Sequence, residues 1–267
     1  MHDDYEFIVF NDGSSEHDAR AIAAICASLG IRCIRIPQEI HDRPYLFRLA
    51  REGWHSPCVR CANVVQYSLN EYGFKHDDLV MIIDSDMFLI KDFCVRDFLQ
   101  GCALAGLDQE RAGYHYLWNG LVFMDVKRLP EKETLNFNCG ELFGVPVDVG
   151  GQTYYYMRAH PEVKVRYFDE INLIDLRCQA CQSEPLHGSA GRIFQRICTH
   201  NAPLLERRSF DPATISFIQQ NIYNSQFLVD NSFFHYRSGT NWDGQPSHVH
   251  AARTRVLLSY LDALLTK

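Results

Sequence analysis

The chain has 267 residues, of which 46% are hydrophobic and 22% charged, a composition typical of a globular protein that buries a large core. Its 33 acidic residues against 26 lysines and arginines leave a formal net charge of -7, which disfavours bulk binding of nucleic acid. No segment approaches the roughly 20 apolar residues of a transmembrane span, and the opening residues lack the basic start of a signal peptide. The ten cysteines are irregularly spaced, so we expect reduced thiols and a cytoplasmic protein.

The first part of the chain predicts two strands and two helices. Residues 7–10 are an apolar run that predicts a strand, and a polar turn leads into a helix that we expect to begin after Ser15 and to stop at Gly30. Residues 33–36 predict a second strand. A second helix is expected from Ser56 and Pro57, in the favoured order of cap and proline, to Gly73.

The middle of the chain predicts a central strand. Leu79–Ile83 is apolar throughout, as expected of a strand covered on both faces. Further strands are predicted at 103–107, 121–126 and 163–168, and a closing helix at 247–265. This alternation predicts an α/β protein, with an open mixed sheet flanked by helices, in a single domain spanning 1–267. Ligands of such sheets bind beyond the carboxyl ends of the strands.

Two aspartates follow the central strand directly. Asp84 and Asp86 are separated by one residue, so a turn can present both carboxylates to one point. Two close like charges cost free energy unless a cation lies between them, which favours a divalent metal. The alternative is a turn in which aspartate only caps backbone amides. Phe88, Leu89 and Ile90 follow one residue later, so the acidic pair lies between this apolar segment and the strand before it. This position does not favour a solvated loop.

Several segments together resemble the nucleotide-sugar glycosyltransferases with the GT-A fold. The run IIDSDMFL at 82–89 looks like their Asp-x-Asp motif, and LWNGLVFMDV at 117–126 resembles the strand that follows it. NDGS at 11–14 and FFHYRSGTNW at 233–242 complete the ordered series. The resemblance implies a GT-A-like fold, with a Rossmann-like nucleotide-binding half and an acceptor-binding half. It also implies transfer of a sugar from a nucleoside diphosphate sugar to a hydroxyl acceptor, such as a glycan.

The resemblance implies a metal site as well. In metal-dependent members a late histidine joins the aspartates, so Mn²⁺ or Mg²⁺ is expected on Asp84, Asp86 and His235. The residues after the histidine contact the diphosphate in that family, which implies Arg237, Ser238 and Gly239 here, with the arginine in place of the family's lysine. An acidic protein can hold an anionic diphosphate only if a cation screens the charges. The alternative is that the histidine belongs to the core or the surface.

Further substrate contacts are expected in the amino-terminal half. The resemblance implies that the nucleoside lies near Asn11, Asp12 and Gly13. Arg60 and Asn63 lie three residues apart opposite the apolar face of their helix, so they either reach the base and ribose or form a solvated face.

The donor sugar is expected near two short segments. Ser85 is assigned to the substrate, and the resemblance implies that Trp118, Asn119 and Gly120 line the pocket for the donor sugar and the acceptor. A tryptophan beside a polar residue suits a sugar, because the C–H face stacks on the ring while the hydroxyls form hydrogen bonds. Asp108 and Gln109 are a second candidate for contact with the sugar.

The segment 147–156 stands where glycosyltransferases place an acidic or amide residue beneath the sugar. In an inverting enzyme Asp148 could deprotonate the acceptor hydroxyl, whereas in a retaining enzyme Asp148 or Gln152 could stabilise charge at the anomeric carbon. Gly151 is assigned to the substrate. Inversion and retention both stay open, and so does the alternative that this segment is a glycine turn followed by core tyrosines.

The cysteines offer two further interpretations. Cys58 and Cys61 lie on the apolar face of their helix, which favours buried thiols over a metal site. A structural zinc ion could be surrounded by Cys178, Cys181, Cys198 and His200, although the Cys-x-His spacing of the second pair is unusual.

Three other functions compete with glycosyl transfer. A phosphatase of the haloacid dehalogenase type also has Asp-x-Asp after an apolar strand, but Phe88 stands where Thr or Val is usual, and that motif normally ends the first strand. A nucleotidyltransferase needs a Gly-rich basic loop that is lacking after the first strand. A non-catalytic module on the same scaffold would bind the sugar or nucleotide without turnover.

Overall fold

The computed structural model describes residues 5–41, 43, 57–174, 186–187, 193–198, 210–220, 225–236 and 247–266, which form a mixed α/β protein. The strands, numbered in chain order, are β1 (Ile8–Asn11), β2 (Arg32–Arg35), β3 (Leu79–Ile83), β4 (Met87–Leu89), β5 (Leu104–Arg111), β6 (Tyr114–Asp125), β7 (Gly140–Leu142), β8 (Val145–Val147), β9 (Val165–Tyr167), β10 (Glu170–Ile174), β11 (Leu186–His187), β12 (Ile193–Cys198), β13 (Ser225–Val229) and β14 (Phe233–Tyr236). The helices are α1 (Glu16–Ser28), α2 (Gln38–His41), α3 (Pro57–Glu71), α4 (Val95–Leu99), α5 (Thr153–Ala159), α6 (Pro212–Gln220) and α7 (Ser247–Leu265).

The chain divides into two compact units. The first unit comprises residues 1–82 and 94–166, and the second comprises 83–93 and 167–267. Each unit combines helices with strands, and the strands form several sheets instead of the one open sheet that the sequence predicts. Within the described ranges no helix is both long and apolar enough to cross a membrane.

The first unit opens with the predicted strand, helix and strand. β1 and β2 pair in parallel, with Ile8 opposite Arg32, and α1 connects them. The Ser15 side chain caps α1, because its Oγ accepts a hydrogen bond from the Asp18 amide at 3.1 Å. Gly30 follows the helix with φ +66°, the left-handed conformation that glycine adopts without steric cost. The sequence prediction of this segment is confirmed.

A four-stranded sheet with the order β3-β6-β5-β9 forms the centre of the first unit. β5 and β6 are joined by the two-residue turn Ala112-Gly113 and pair antiparallel. Residues 104–107 of β5 and 121–124 of β6 are buried, which accounts for the long apolar runs of these strands. The pairing is interrupted by a bulge in β6, since Val122 lies opposite Gly106 while Trp118 lies opposite the next residue, Leu107. Residues 119–121 therefore protrude from the regular ladder.

The second unit is built on a mixed six-stranded sheet with the order β11-β12-β10-β13-β14-β4. β10 pairs parallel with β12 and antiparallel with β13. The β13–β14 hairpin turns at Asp230 and Asn231, both with positive φ. α6 and α7 pack together through Phe217 and Tyr260, whose rings stack with centroids 4.2 Å apart. The bounds of α7 are those predicted from the sequence.

Candidate functional site

The predicted metal ligands of the second unit come together through strand pairing. After β3 the chain turns, and the Met87 amide donates to the carbonyl of Asp84 at 3.0 Å. β4 then pairs antiparallel with β14, so that Met87 lies opposite His235. The Tyr236 amide donates to the carbonyl of Asp86 at 2.8 Å and extends this pairing by one residue. As a result, Asp86, the residue directly before β4, lies beside His235 of β14.

Asp86 and His235 form a buried contact between a carboxylate and an imidazole. Oδ1 of Asp86 lies 3.3 Å from Nε2 of His235, and only 10% and 9% of the two side chains are exposed. In the part of the chain that the structure describes, this oxygen of Asp86 accepts no hydrogen bond of good geometry. A buried polar atom without such a partner costs about 1–3 kcal/mol, and more when it is charged. A cation at this position would offset that cost.

Asp84 experiences the charge of its neighbour. Burial raises the pKa of the Asp84 carboxyl, and the negative charge of Asp86 raises it further. The Ser85 amide, which donates to Oδ1 of Asp84 at 2.8 Å, and the nearby His235 act in the opposite direction on this pKa. The turn therefore resists a second negative charge. Across the described ranges no three His, Cys, Asp or Glu side chains are placed so that they could hold a metal ion. The structure thus joins Asp86 to His235, and Asp84 lies near enough to both for their charges to act on its carboxyl.

The first unit brings together the two segments predicted to surround the sugar. Gly150 has φ +92°, and a Cβ atom on it would lie 1.8 Å from the carbonyl oxygen of Leu117. The Leu117 amide donates to Oγ1 of Thr153 at 2.9 Å, and this hydroxyl donates to the Gly150 carbonyl at 2.7 Å. The loop with the predicted catalytic residues is therefore fastened to the strand with the predicted sugar-binding residues.

The three residues of the sugar-binding segment have different environments. The Trp118 ring lies over Gly120, where a Cβ atom would come within 1.9 Å of the ring. Asn119 is buried in the bulge, and its Nδ2 lies 3.3 Å from Sγ of Cys61 on α3. Trp118 is half-buried, so it is the member of this segment with the most accessible side chain.

The two predicted catalytic residues differ in accessibility. Gln152 is buried, and its Nε2 donates a long hydrogen bond of 3.5 Å to the Glu141 carbonyl. Asp148 is half-buried, and its Oδ1 accepts a hydrogen bond from the Val149 amide at 2.8 Å. Gly151 is also buried, with the Val147 side chain packed against its Cα. Of the two candidates, Asp148 is the better placed to reach a substrate.

Helix α3 packs beside this loop. Val59 and Ala62 of the helix form a buried cluster with Cys139 and Val149, and the thiols of the helix pack against it as predicted. Burial raises the pKa of Cys139 to about 12, and the neighbouring Cys58 adds to this rise. These cysteines behave as small apolar groups.

Arg60 and Asn63 lie on the same helix. Nδ2 of Asn63 donates to the carbonyl of Arg43 at 3.0 Å. Nε of Arg60 is buried without a hydrogen-bond partner in the described part of the chain. Such a donor is suited to an anionic or carbonyl group of a ligand.

The loop after β1 is held by internal contacts. Asn11 is buried; its Nδ2 donates to the Ala19 carbonyl at 2.8 Å, and its Oδ1 accepts from the Gly13 amide at 3.0 Å. Gly13 is needed because a Cβ atom there would lie 2.6 Å from the Ala19 nitrogen. The Asn11 side chain therefore shapes the loop, and Asp12 lies half-buried within it.

The remaining predicted residues have other positions. Arg237, Ser238 and Gly239 lie outside the described residues, as do Cys178, Cys181 and His200 of the predicted zinc site, whereas Cys198 ends β12. Ser85 is exposed in the turn between the aspartates. The structure also brings together two residues that the sequence does not predict to meet: Asp108 is buried, and its carboxylate oxygens lie 2.9 and 3.1 Å from Nδ1 of His115. Only the hairpin register would have shown this pairing.

Comparisons with known proteins do not add a family. No protein-family model, no curated protein and no solved structure matched this chain. The residues and their geometry therefore carry the functional assignment.

Proposed function

We propose that this protein is a metal-dependent glycosyltransferase of GT-A-like architecture, which moves a sugar from a nucleoside diphosphate sugar to a hydroxyl acceptor such as a glycan. The observation that carries the proposal is the environment of Asp86. Its carboxylate is nine-tenths buried, faces Nε2 of His235 at 3.3 Å and shares a turn with Asp84. Carboxylate oxygens suit both Mn²⁺ and Mg²⁺, and the imidazole nitrogen favours the transition metal Mn²⁺ over the harder Mg²⁺.

The donor set also fits the charge of the substrate. The protein carries a formal charge of -7, so a diphosphate needs a cation between itself and the carboxylates. Asp86, directly before β4, and His235 of β14 would hold this ion, and Asp84 is proposed as the third ligand, because a cation would relieve the repulsion that Asp86 exerts on its carboxylate. When bound, the ion supplies stabilisation of the charge that develops on the departing nucleoside diphosphate.

The first unit contributes the groups proposed to act on the sugar and the acceptor. Asp148 holds a carboxylate at the edge of the loop, where it can accept the proton of an acceptor hydroxyl in an inverting reaction or stabilise positive charge in a retaining one. Trp118 offers an apolar ring to the sugar. The buried Nε of Arg60 and the loop at Asp12 are proposed to contact the nucleotide, and the segment after His235 the diphosphate. A cytoplasmic location is part of the same proposal.

The test compares two aspartates of the second unit. Asp86→Asn keeps the shape of the side chain but removes its charge, whereas Asp92→Asn removes an exposed charge near the end of β4 and serves as the matched control. The purified full chain is mixed with UDP-glucose, UDP-galactose, UDP-N-acetylglucosamine or GDP-mannose, with and without Mn²⁺. Binding is followed by calorimetry and donor hydrolysis by release of the nucleoside diphosphate.

We expect Mn²⁺-dependent hydrolysis of one donor by the wild type and by Asp92→Asn. Asp86→Asn should lower it roughly 100-fold or more, because even groups behind metal ligands contribute about 10–100-fold. Unchanged hydrolysis by Asp86→Asn would remove the metal role. Cleavage of p-nitrophenyl phosphate in place of the donors would indicate a phosphatase, and donor binding without turnover would indicate a binding module.

A further inference from the structure

A cluster of four aromatic rings, two of them exposed and two half-buried, lies at the tip of the β7–β8 hairpin, on α5 and at the start of β6. We call it the aromatic platform; its members are Tyr114, Phe143, Tyr154 and Tyr155. The Phe143 ring lies 5.5 Å from Tyr114, 6.1 Å from Tyr154 and 6.0 Å from Tyr155, measured between centroids. Tyr154 contacts both other tyrosines edge-on at 5.5 Å. The rings are thus held as one surface.

The backbone of Phe143 is in an unfavourable conformation for its side chain. Phe143 and Gly144 form the two-residue hairpin turn, with φ +50° and +88°. Such turns favour Asn, Asp or Gly, and a bulky residue at positive φ is a genuine outlier. Burial does not account for this choice, because 64% of Phe143 is exposed. Strain at an exposed position is typical of residues kept for a ligand rather than for folding.

The chemistry of the platform matches a sugar ring. Phe143 and the 45% exposed Tyr155 offer apolar ring faces. Arg158 donates to the Tyr154 hydroxyl at 2.9 Å, and its guanidinium lies 5.7 Å from that ring. A pyranose has one apolar C–H face and a rim of hydroxyls, so it can stack on the rings while the tyrosine hydroxyls and the guanidinium bind its rim.

The platform is anchored to the loop that carries Asp148. Tyr114 and Tyr154 pack against a buried cluster of Tyr116, Leu142 and Val147. The hydroxyl oxygen of Tyr116 accepts a hydrogen bond from the Asp148 amide at 3.3 Å. Tyr116, through this hydrogen bond, and Val147, which precedes Asp148 in the chain, therefore connect the rings with the proposed catalytic loop.

We propose that the aromatic platform is an acceptor subsite that binds a pyranose ring of a carbohydrate acceptor. The assignment of this sugar to the acceptor rests on the proposed glycosyltransferase function, whereas its binding requires neither donor nor metal. The acceptor is therefore a carbohydrate, because a small hydroxyl compound without an apolar C–H face would gain no binding energy from stacking on the rings.

The test uses two variants of the platform and one control. Phe143→Asn removes the ring and introduces a residue that tolerates positive φ, so the fold is kept. Tyr155→Ala removes a second exposed ring. Phe7→Ala is the matched control, because Phe7 is exposed in the same unit and is not a member of the platform. Maltotriose, cellotriose and chitotriose are titrated into the full chain, and binding is measured by saturation-transfer difference NMR.

We expect at least one trisaccharide to bind the wild type, Phe7→Ala and Asp86→Asn alike. Phe143→Asn should weaken this binding about five- to tenfold, as expected for loss of one stacked ring, and the double variant should lose it. Loss of Mn²⁺-dependent hydrolysis in Asp86→Asn with retained trisaccharide binding separates the two sites.

Three results would overturn the acceptor subsite. The first is that no trisaccharide binds, and the second is that the wild type and the double variant bind equally well. The third is a concentration-dependent dimer in sedimentation that Phe143→Asn dissociates, because a second copy of the chain would then cover the rings. If no donor is hydrolysed but trisaccharide binding depends on Phe143, the proposed transferase function fails while the carbohydrate site stands.

Discussion

Replacing Gly150 by alanine tests the close approach that fastens the predicted catalytic loop to β6. The chain offers a matched control in Gly113, which turns the β5–β6 hairpin. The two glycines have nearly the same φ, +92° for Gly150 and +84° for Gly113. Their surroundings differ: a Cβ atom on Gly113 meets nothing within 4 Å, whereas one on Gly150 would lie 1.8 Å from the Leu117 carbonyl oxygen. The pair therefore separates the cost of φ from the cost of contact.

The expected free energies of unfolding follow from these two terms. An L-residue at left-handed φ costs about 1–2 kcal/mol. Alanine recovers about 0.4–1 kcal/mol of this by restricting the unfolded chain, so Gly113→Ala should cost roughly 1 kcal/mol. In Gly150→Ala the loop must also move more than an ångström away from a backbone atom, which adds overpacking of about 1–3 kcal/mol. The Gly150 amide would lose its 2.7 Å hydrogen bond to Phe137, at about 1 kcal/mol.

Urea unfolding followed by circular dichroism measures both variants against the wild type. We expect Gly150→Ala to lose about 3–5 kcal/mol, and therefore about 2–4 kcal/mol more than Gly113→Ala, with an unchanged dependence on urea. If Asp148 has the proposed catalytic role, the same variant should also lose donor turnover, because Asp148 moves with the loop. Losses that agree within about 0.5 kcal/mol would refute the close approach of Gly150 to Leu117, since contact would then contribute nothing beyond φ.

Two further substitutions test the packing around this loop. Thr153→Val keeps the shape of the side chain but leaves the Leu117 amide without its acceptor, whereas the Gly150 carbonyl still accepts from the amide of residue 153 at 2.9 Å. Urea unfolding should therefore show a loss of about 1–3 kcal/mol, and a loss below about 0.5 kcal/mol would contradict the role of this hydroxyl. Burial raises the pKa of Tyr156 to about 12, so the wild type should lose stability as the pH rises from the ordinary tyrosine pKa toward 12. Tyr156→Phe should reduce that loss and cost about 1 kcal/mol at pH 7, because the hydroxyl no longer donates to the Pro130 carbonyl; parallel pH profiles would refute the linkage.

Segments with strong local signals were predicted well. Ser15 caps α1, Gly30 ends it in a left-handed conformation, and α7 has the predicted bounds. In these cases a capping side chain, a glycine or a helical period acts within a few residues. The chain needs no distant partner for such choices.

Hairpins were harder to predict, because their turns carry unusual residues. Ala112-Gly113 and Phe143-Gly144 adopt positive φ at both positions, although neither alanine nor phenylalanine favours it. The hairpin that places His235 turns at Asp230-Asn231, a pair better suited to positive φ. Because the β5–β6 hairpin was not predicted, the contact between Asp108 and His115 was not predicted either.

Local patterns along the chain are enough to predict the α/β class, the strand that leads to Asp84 and Asp86, and the kinds of side chain available for a metal or a sugar. Which of these residues meet depends on long-range pairing: β4 pairs with β14 and so brings Asp86 beside His235, and Gly150 lies against Leu117 only in the folded unit. Caps and helical periods act between near neighbours in the chain, whereas strand register and backbone contact join distant residues and depend on all the packing between them.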